Sequence, residues 1–511
     1  MKDSTSKEMM GKYIMRGHIF YKYFITETKT DLITITGTGD IPAASKLMLH
    51  KGHMSRYGCR LCIVEGKSIS SRGMYFKPKR YPIPKPRPFS FKKKNLKESL
   101  CYGIKSKSEF LKLKSFKDCN FFGLDIMHLF SGIAKQFWKL LCGKFGKKNN
   151  PLFLTTRIRN QIGASISNSK STVPSTLDAC TANISKRKGL KSIEWINMLR
   201  FITPTIIIEH IKDHAARKAT LALVQVCYIA FQKSISNSDL RKLNTDVWTW
   251  FEFLIKQVDL GNISGKIFTI NQHYLRHLKE MIVAMGPPSM YSTFANERAL
   301  GEIKRKVKSP SAPGTNAGNI MVGLAASRFI ERRNPSTTAN NRNGTIHDYA
   351  EYNLGQLLRA YWQIHLENVG AIDLVIEAGA RLFVSSKEVI GSSYRERSDI
   401  RRDDFYVQMI VDVDKCEFRN RIGRKPRHYF GEVIMYFRHK QGSLMRILGL
   451  VKVWKVELTV NGIPYIKEKG DYRYAVVSSG DIRSMIALYT ATSNRRYIVY
   501  PHMKPLNDQE L

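Results

Sequence analysis

The chain is 511 residues long, enough for two or three domains rather than one. Lys and Arg number 83 against 42 Asp and Glu, a formal charge of +41, while hydrophobic residues make up 43% and aromatics 11%. These apolar fractions exclude disorder over most of the length, and a like-charge surplus of this size, self-repelling on its own, points to a polyanionic partner.

The start, Met1-Lys2-Asp3-Ser4-Thr5-Ser6-Lys7, carries no apolar signal region, so no secretory leader is expected. The longest apolar tract, Ala219 to Phe231, is broken by Thr220 and Gln225. It is shorter than the ~20 residues that cross a bilayer. Eight cysteines, mostly scattered, fit thiols in a reducing compartment.

Leu32 to Thr36 is a β-branched run that reads as a strand, and it leads through Gly37-Thr38-Gly39 to Asp40, with a helix expected from Ala43 to His50. An acid at the carboxyl end of such a strand is a common place for chemistry in α/β folds. Next come His50 and His53, then Cys59-Arg60-Leu61-Cys62. Two residues between thiolates let both sulfurs reach one ion, so Cys59, Cys62, His53 and His50 form a candidate zinc site. His128, Cys101 and Cys119 are further candidates for its completion, and the alternative is a pair of buried thiols without metal.

From Arg72 to Lys117 there are fifteen Lys or Arg and two acids, Glu98 and Glu109, with Pro78, Pro82, Pro84, Pro86 and Pro88 holding part of the segment extended. Lys77, Lys79, Arg80, Lys85, Arg87, Lys92, Lys93 and Lys94 are its candidate phosphate contacts, set against a plain solvated loop. Asp125 and His128 form an Asp-x-x-His unit, either a carboxylate that orients the imidazole or shares a metal with it, or a helix cap beside a buried histidine.

A helical region follows. Leu240, Leu243, Val247, Trp250, Leu254 and Val258 share one helical face, as do Leu221, Val224, Cys227, Tyr228 and Phe231. The pairs His210/His214 and His273/His277 stand at i, i+4, but neither has a glutamate directly after its first histidine, and both read as core or surface histidines. Gly286-Pro287-Pro288 closes the block. A helix over Asn296 to Lys304 carries Glu297 and Arg298, and the cluster Lys304-Arg305-Lys306-Val307-Lys308 suits DNA or nuclear import. Ser309 to Gly318 and Asn334 to Gly344 read as polar loops. From about Asp403 the period shifts to two, with strands at Tyr406 to Val413, Tyr429 to Phe437, Met445 to Val456, Tyr472 to Val477 and Tyr497 to Tyr500, suggesting a small barrel or sandwich.

The ordered set resembles DDE-type transposases of the CACTA (En/Spm) group, in their fungal form. It comprises Gly39-Asp40-Ile41-Pro42-Ala43-Ala44-Ser45-Lys46-Leu47-Met48, His50-Lys51-Gly52-His53, Tyr57-Gly58-Cys59-Arg60-Leu61-Cys62 and Gly123-Leu124-Asp125-Ile126-Met127-His128. Trp138-Lys139-Leu140-Leu141, Gln272-His273-Tyr274-Leu275-Arg276-His277, Gly286-Pro287, Tyr291-Ser292-Thr293 and Glu297-Arg298 complete it. The resemblance covers roughly residues 30 to 330. It implies a ribonuclease-H-like core interrupted by a helical insertion, with three acids holding two Mg²⁺ or Mn²⁺ ions for in-line attack on a phosphodiester. Asp40 would be the second catalytic aspartate and Glu297 the third acid, with Glu302 as fallback, while Cys59/Cys62 and Asp125/His128 match accessory motifs. The first aspartate belongs well upstream of Asp40, and neither Asp3 nor Asp31 fits that place.

The expected fold is therefore α/β plus an all-α insertion. A partial ribonuclease-H-like core with the CxxC and the basic segment spans 1–128 and a helical insertion 129–288. A closing core helix and polar loop span 289–345, a helical connector 346–400, and a small β-rich C-terminal domain 401–511. The expected function is a nuclear, transposase-derived DNA-binding protein impaired in strand cleavage, with structural zinc, DNA as partner, room for a homo-oligomer, and no membrane. The alternatives are an active transposase or nuclease and a zinc-stabilised, non-enzymatic nucleic-acid or chromatin adaptor. Arg298, Lys304 and Arg305 join the candidate DNA contacts.

Overall fold

The computed structural model describes residues 37–511 except 70–72, 88–101, 107, 114, 117, 178–182, 186–188, 308–310, 334–341, 367, 386–387, 396–401, 415–423, 469, 502 and 504–511. The expectations placed on Leu32 to Thr36, Asp3, Asp31, Cys101 and Lys92 to Lys94 lie outside the described residues. The fold is mixed. Its principal helices are α1 (Ile41–Leu47), α2 (Ile126–Leu141), α3 (Thr156–Asn168), α4 (Ser192–Asn197), α5 (His214–Ala230), α6 (Asn237–Asp259), α7 (Ile270–Leu275), α8 (Leu278–Met285), α9 (Phe294–Lys306), α10 (Pro313–Arg333) and α11 (Leu354–His365). Among the described residues no helix is long and apolar enough to cross a membrane.

The chain divides into two compact units. The first runs to Leu140 and takes in Lys144–Asn150 and Ile229–Ala295; the second comprises Leu141–Gly143, Pro151–Tyr228 and Asn296–Leu511. The helices between 129 and 288, read from the sequence as one insertion, are thus shared: α2 and α6 to α8 build the first unit, α3 to α5 the second.

In the first unit, Asp40 starts α1 by accepting a 2.6 Å hydrogen bond from Ala43 N, and Pro42 occupies the first turn, where its missing N–H costs nothing. The helix ends at Leu47, short of the expected His50, because Leu49 turns to a positive φ of 53°. Gly37 forms a parallel bridge with Phe122, its N–H donating to Phe121 O at 2.9 Å and its carbonyl accepting from Gly123 N at 3.0 Å. Three residues beyond each bridged position stand Asp40 and Asp125, at the carboxyl ends of neighbouring parallel segments.

The long helix α6 starts from a capping box in which Ser236 and Asp239 satisfy each other's backbone N–H groups. Leu243, Val247, Trp250 and Leu254, the stripe read from the sequence, are buried along it. Trp250 Nε1 donates to Gln272 Oε1 at 2.9 Å, Gln272 Nε2 to Gln136 Oε1 at 2.9 Å, and Gln136 Nε2 to Ile267 O at 2.7 Å. This buried chain of amides fixes α7 against α6 and α2, because an unpaired buried amide would cost more than the bonds themselves return.

The second unit is strand-rich towards its end. A seven-stranded antiparallel sheet contains β3 (Arg342–Thr345), β4 (Val375–Gly379), β7 (Tyr406–Asp414), β8 (Arg424–Gln441), β9 (Leu444–Trp454), β12 (Tyr472–Ser478) and β13 (Ile482–Met485). A four-stranded sheet contains β10 (Glu457–Leu458), β11 (Pro464–Lys467), β14 (Ala487–Thr490) and β15 (Arg495–Val499). Two small hairpins complete the strands: β1 (Lys67–Ser68) with β2 (Met74–Tyr75) in the first unit, and β5 (Arg381–Ser385) with β6 (Glu388–Gly391) in the second. Helix α11 buries Leu354, Leu358 and Trp362 against Met435, Phe437, Leu448 and Leu450 of the large sheet.

Two sequence expectations need correction here. The connector over 346–400 is helical only as far as His365; β4 then joins the sheet edge-on to β8, since Val375, Ile376 and Ala378 alternate as a half-buried strand. The polar stretch Ser309 to Gly318 is not a loop throughout, because Pro313 opens α10, a position where proline is well tolerated.

Candidate metal centre

Cys59, Cys62, His273 and His277 come together, all four buried, with one ligand atom from each lying within 4.8 Å of the others. Cys62 Sγ is 3.2 Å from His273 Nε2, Cys59 Sγ is 3.5 Å from His277 Nε2, and the two imidazole Nε2 atoms are 3.2 Å apart. A tetrahedral zinc with bonds of about 2.0–2.3 Å requires ligand separations of roughly 3.3–3.8 Å, so the cluster could hold such an ion with little movement.

Each half of the centre is shaped by its own sequence. Leu61 N and Cys62 N both point at Cys59 Sγ, at 3.3 and 3.4 Å, the turn that a two-residue spacing produces around a thiolate. Gly58 precedes it because a Cβ there would stand 2.6 Å from His53 O and 2.7 Å from the Phe76 ring. On the other side His273 lies in α7 and His277 stands at the N-terminal boundary of α8, so the i, i+4 spacing presents both rings to one point. Glu280 Oε2 accepts from His277 Nδ1 at 3.0 Å, which turns Nε2 towards the sulfurs.

Two buried arginines brace the loop. Arg87 donates from Nε to Cys59 O at 3.0 Å and from Nη2 to Tyr57 O at 2.9 Å and Cys62 O at 3.1 Å, with Tyr102 O also accepting. Arg60 donates to Gly123 O at 2.8 Å and to Phe122 O, tying the CxxC to the segment that ends in Asp125.

Burial alone would raise the Cys59 thiol, but the Cys62 hydrogen bond and the two imidazoles outweigh it and hold Cys59 well below the ordinary thiol range. Cys62, hydrogen-bonded to that thiolate and buried, is pushed far up. Burial lowers His273, whereas at His277 the Cys59 charge and Glu280 overcome burial and raise the imidazole to about 9. The metal-free centre is therefore a thiolate–imidazolium pair beside a thiol and a neutral imidazole. Zinc must displace the protons of Cys62 and His277, while Cys59 and His273 have none to lose. The apparent affinity should accordingly rise about a hundredfold per pH unit on the acid side of the raised value of His277. As pH passes the raised value of His277, about 9, the dependence should fall to tenfold per unit. Competition against a chromophoric chelator of known proton affinity checks both slopes.

This ligand set corrects the sequence expectation in three respects. His50 is buried with both nitrogens engaged, Nδ1 accepting from Gly52 N at 3.1 Å and Nε2 donating to Tyr57 O at 3.0 Å; burial lowers it to about 4, so it stays neutral. His53 and His128 are half-buried and outside the cluster, and buried Cys119 is outside it too. The residues that complete the cluster are His273 and His277, which the sequence reads as core or surface histidines. The signal that could have found them is an unfinished CxxC in the same chain as an i, i+4 histidine pair.

Asp125, buried, and His128, half-buried, form a second constellation. Asp125 accepts from His128 N at 3.0 Å, His128 Nδ1 at 2.5 Å, Thr293 N at 2.8 Å and Thr293 Oγ1 at 2.8 Å. Burial would raise its carboxyl, but these donors hold it below the ordinary carboxylate value. Both sequence readings of the motif meet here, since the carboxylate caps α2 and orients the imidazole together.

No protein-family model matches the chain, and no curated protein does.

Of the basic candidates, Lys77 pairs with Asp259, and Arg80 pairs with Glu252 at 2.9 Å while lying over the Trp248 ring. Lys79, Lys85, Arg298, Lys304 and Arg305 are exposed. Arg87 is not a surface contact but 3% exposed, because Ile63 N to Lys85 O and Arg87 N to Leu61 O draw its segment alongside the CxxC turn. Glu297 is exposed in the first turn of α9, in the second unit, and Asp40 belongs to the first.

Proposed function

We propose that this chain is a DNA-binding protein of transposase descent, built on a ribonuclease-H-like core stapled by structural zinc and impaired in strand cleavage. One observation carries the reading: sequence blocks that define the resemblance separately also meet in space. The CxxC block meets the Gln272-to-His277 block at the metal centre, and the Gly123-to-His128 block meets Thr293 through Asp125. Arg60 links the two meetings. The parallel bridge beside Asp40 agrees with the same core.

Charge supports DNA as the ligand. A surplus of +41, with exposed Lys79, Arg80, Lys85, Lys304 and Arg305, suits phosphate contacts whose strength comes from counterion release.

Duplex DNA affinity should fall about tenfold or more between roughly 50 and 200 mM salt. Glutamate at Lys79, Arg80 and Lys85 together should weaken binding and flatten that slope. Salt-independent binding would overturn the electrostatic reading. Nicking of supercoiled DNA in Mg²⁺ or Mn²⁺ that disappears with Asp40→Ala would replace impaired cleavage by an active nuclease.

A further inference from the structure

The second unit contains an open cavity of about 390 Å³ where the end of β9 and the start of β12 lie beside β8. Its wall is aromatic, with Tyr429 and Phe430 from β8, Trp454 from β9 and Tyr472 from β12. The ladder explains why Trp454 and Tyr472 gather. Tyr472 is paired directly with Trp454, and Tyr474 with Lys452, so all four side chains leave the sheet on one face. Tyr472 lies 5.6 Å from Tyr474 between ring centres and is 51% exposed. Two cations and one acid line the rim: Arg473 is exposed, and Lys455 is paired with Asp471 at 3.4 Å. Beside it, Lys452 Nζ sits 3.9 Å over the Tyr472 ring and stands opposite Glu432 on the ladder.

We propose that this groove binds single-stranded nucleic acid, with a base entering beside Trp454 and Tyr472 and its flanking phosphates held by Lys455 and Arg473, the cations that line it. Aromatic faces accept any unstacked base, and cations at the rim track the backbone, the pairing that recurs in single-strand binders. A duplex keeps its bases inside the stack, so it cannot use these rings. A methylated-lysine peptide, the other guest of aromatic pockets, is disfavoured because the rim is already positive and an ammonium already occupies the face of Tyr472. The site is separate from duplex binding by the exposed basic residues, and the two stand or fall independently.

The test uses the full chain with a fluorescein-labelled oligothymidylate of about 15 nucleotides and a duplex of the same length, read by anisotropy. Tyr472→Ala should weaken single-strand binding about tenfold and leave duplex binding within twofold, with an unchanged melting curve. Equal losses on both ligands, or none on the single strand, would overturn the proposal, as would displacement of the oligonucleotide by a trimethyl-lysine peptide. A second measurement needs no variant. Photocrosslinking of 4-thiothymidine oligonucleotide to the wild-type protein should label Tyr429, Trp454 or Tyr472; labelling confined to 72–117 would refute it. Loss of duplex binding alone, with these crosslinks intact, would remove the proposed function and leave this site standing.

Discussion

Serine at both Cys59 and Cys62 should abolish zinc binding and unfold the first unit. The wild-type chain should carry about one zinc and the double variant less than a tenth of that. Structural zinc sites in small peptides contribute roughly 10–16 kcal/mol of apparent binding energy at neutral pH, as much as the whole ~5–15 kcal/mol stability of a typical domain. The centre joins a turn at residues 59–62 to helices at 270–285, so it closes more than two hundred residues of chain. Calorimetry should therefore show the transition of this unit lost or lowered by well over 10 °C, and a strong chelator added to wild type should do the same. Cys119→Ser is the matched control. It removes a thiol equally buried in the same unit, pushed up to about 11 by burial, and should cost only ~1 kcal/mol. If the double variant behaved like two copies of this control, the cysteines would be packing groups and not ligands.

How far the sequence could lead differs between the metal centre and the fold. The CxxC was legible because thiolate spacing is a local property, complete within four residues. Its partners were not, since the feature that makes His273 and His277 ligands is α7 packing against α6 through Trp250, Gln272 and Gln136, a relation among three distant segments. The i, i+4 pattern alone fits His210/His214 equally well, and there His210 Nε2 is buried without a partner and, among the described residues, no second pair of ligands arrives.

The β-rich end shows the opposite case. Period-two alternation from Tyr406 onward located its long strands, because one buried face fixes both strand and register. β4 escaped notice since Val375 to Gly379 is short, follows a helix and has its outer face exposed. The polar loop expectation over Ser309 to Gly318 failed for a related reason. Proline and glycine mark the start of a helix as readily as its absence, and only the run from Ala317 to Arg333 distinguishes the two.

The other large effect is expected at Arg87, and it turns on a distinction that charge counting cannot make. Arg80 and Arg87 belong to one basic segment and look equivalent as sequence. In the fold Arg80 is exposed, with a surface ion pair to Glu252, whereas Arg87 supplies donors to the carbonyls of Tyr57, Cys59, Cys62 and Tyr102. Methionine at Arg87 keeps most of the stem but removes the guanidinium donor from the carbonyls of Cys59, Cys62 and Tyr102, while Tyr57 O keeps His50 Nε2, and each unpaired buried group costs ~1–3 kcal/mol. Arg87→Met should therefore destabilise the first unit by about 3–5 kcal/mol in urea unfolding, comparable to breaking a buried charge from its partners. Arg80→Met should cost less than ~1 kcal/mol, the worth of an exposed pair. The two variants should exchange places in DNA binding. Arg80→Met should reduce the salt slope by about one, while Arg87→Met, measured where it is still folded, should leave the slope unchanged. Because Arg87 holds the carbonyls of both cysteines, it should also speed zinc loss to a chelator, which Arg80→Met should not. A stable, zinc-retaining Arg87→Met protein with weakened DNA binding would return this residue to the surface role that its sequence neighbourhood suggests.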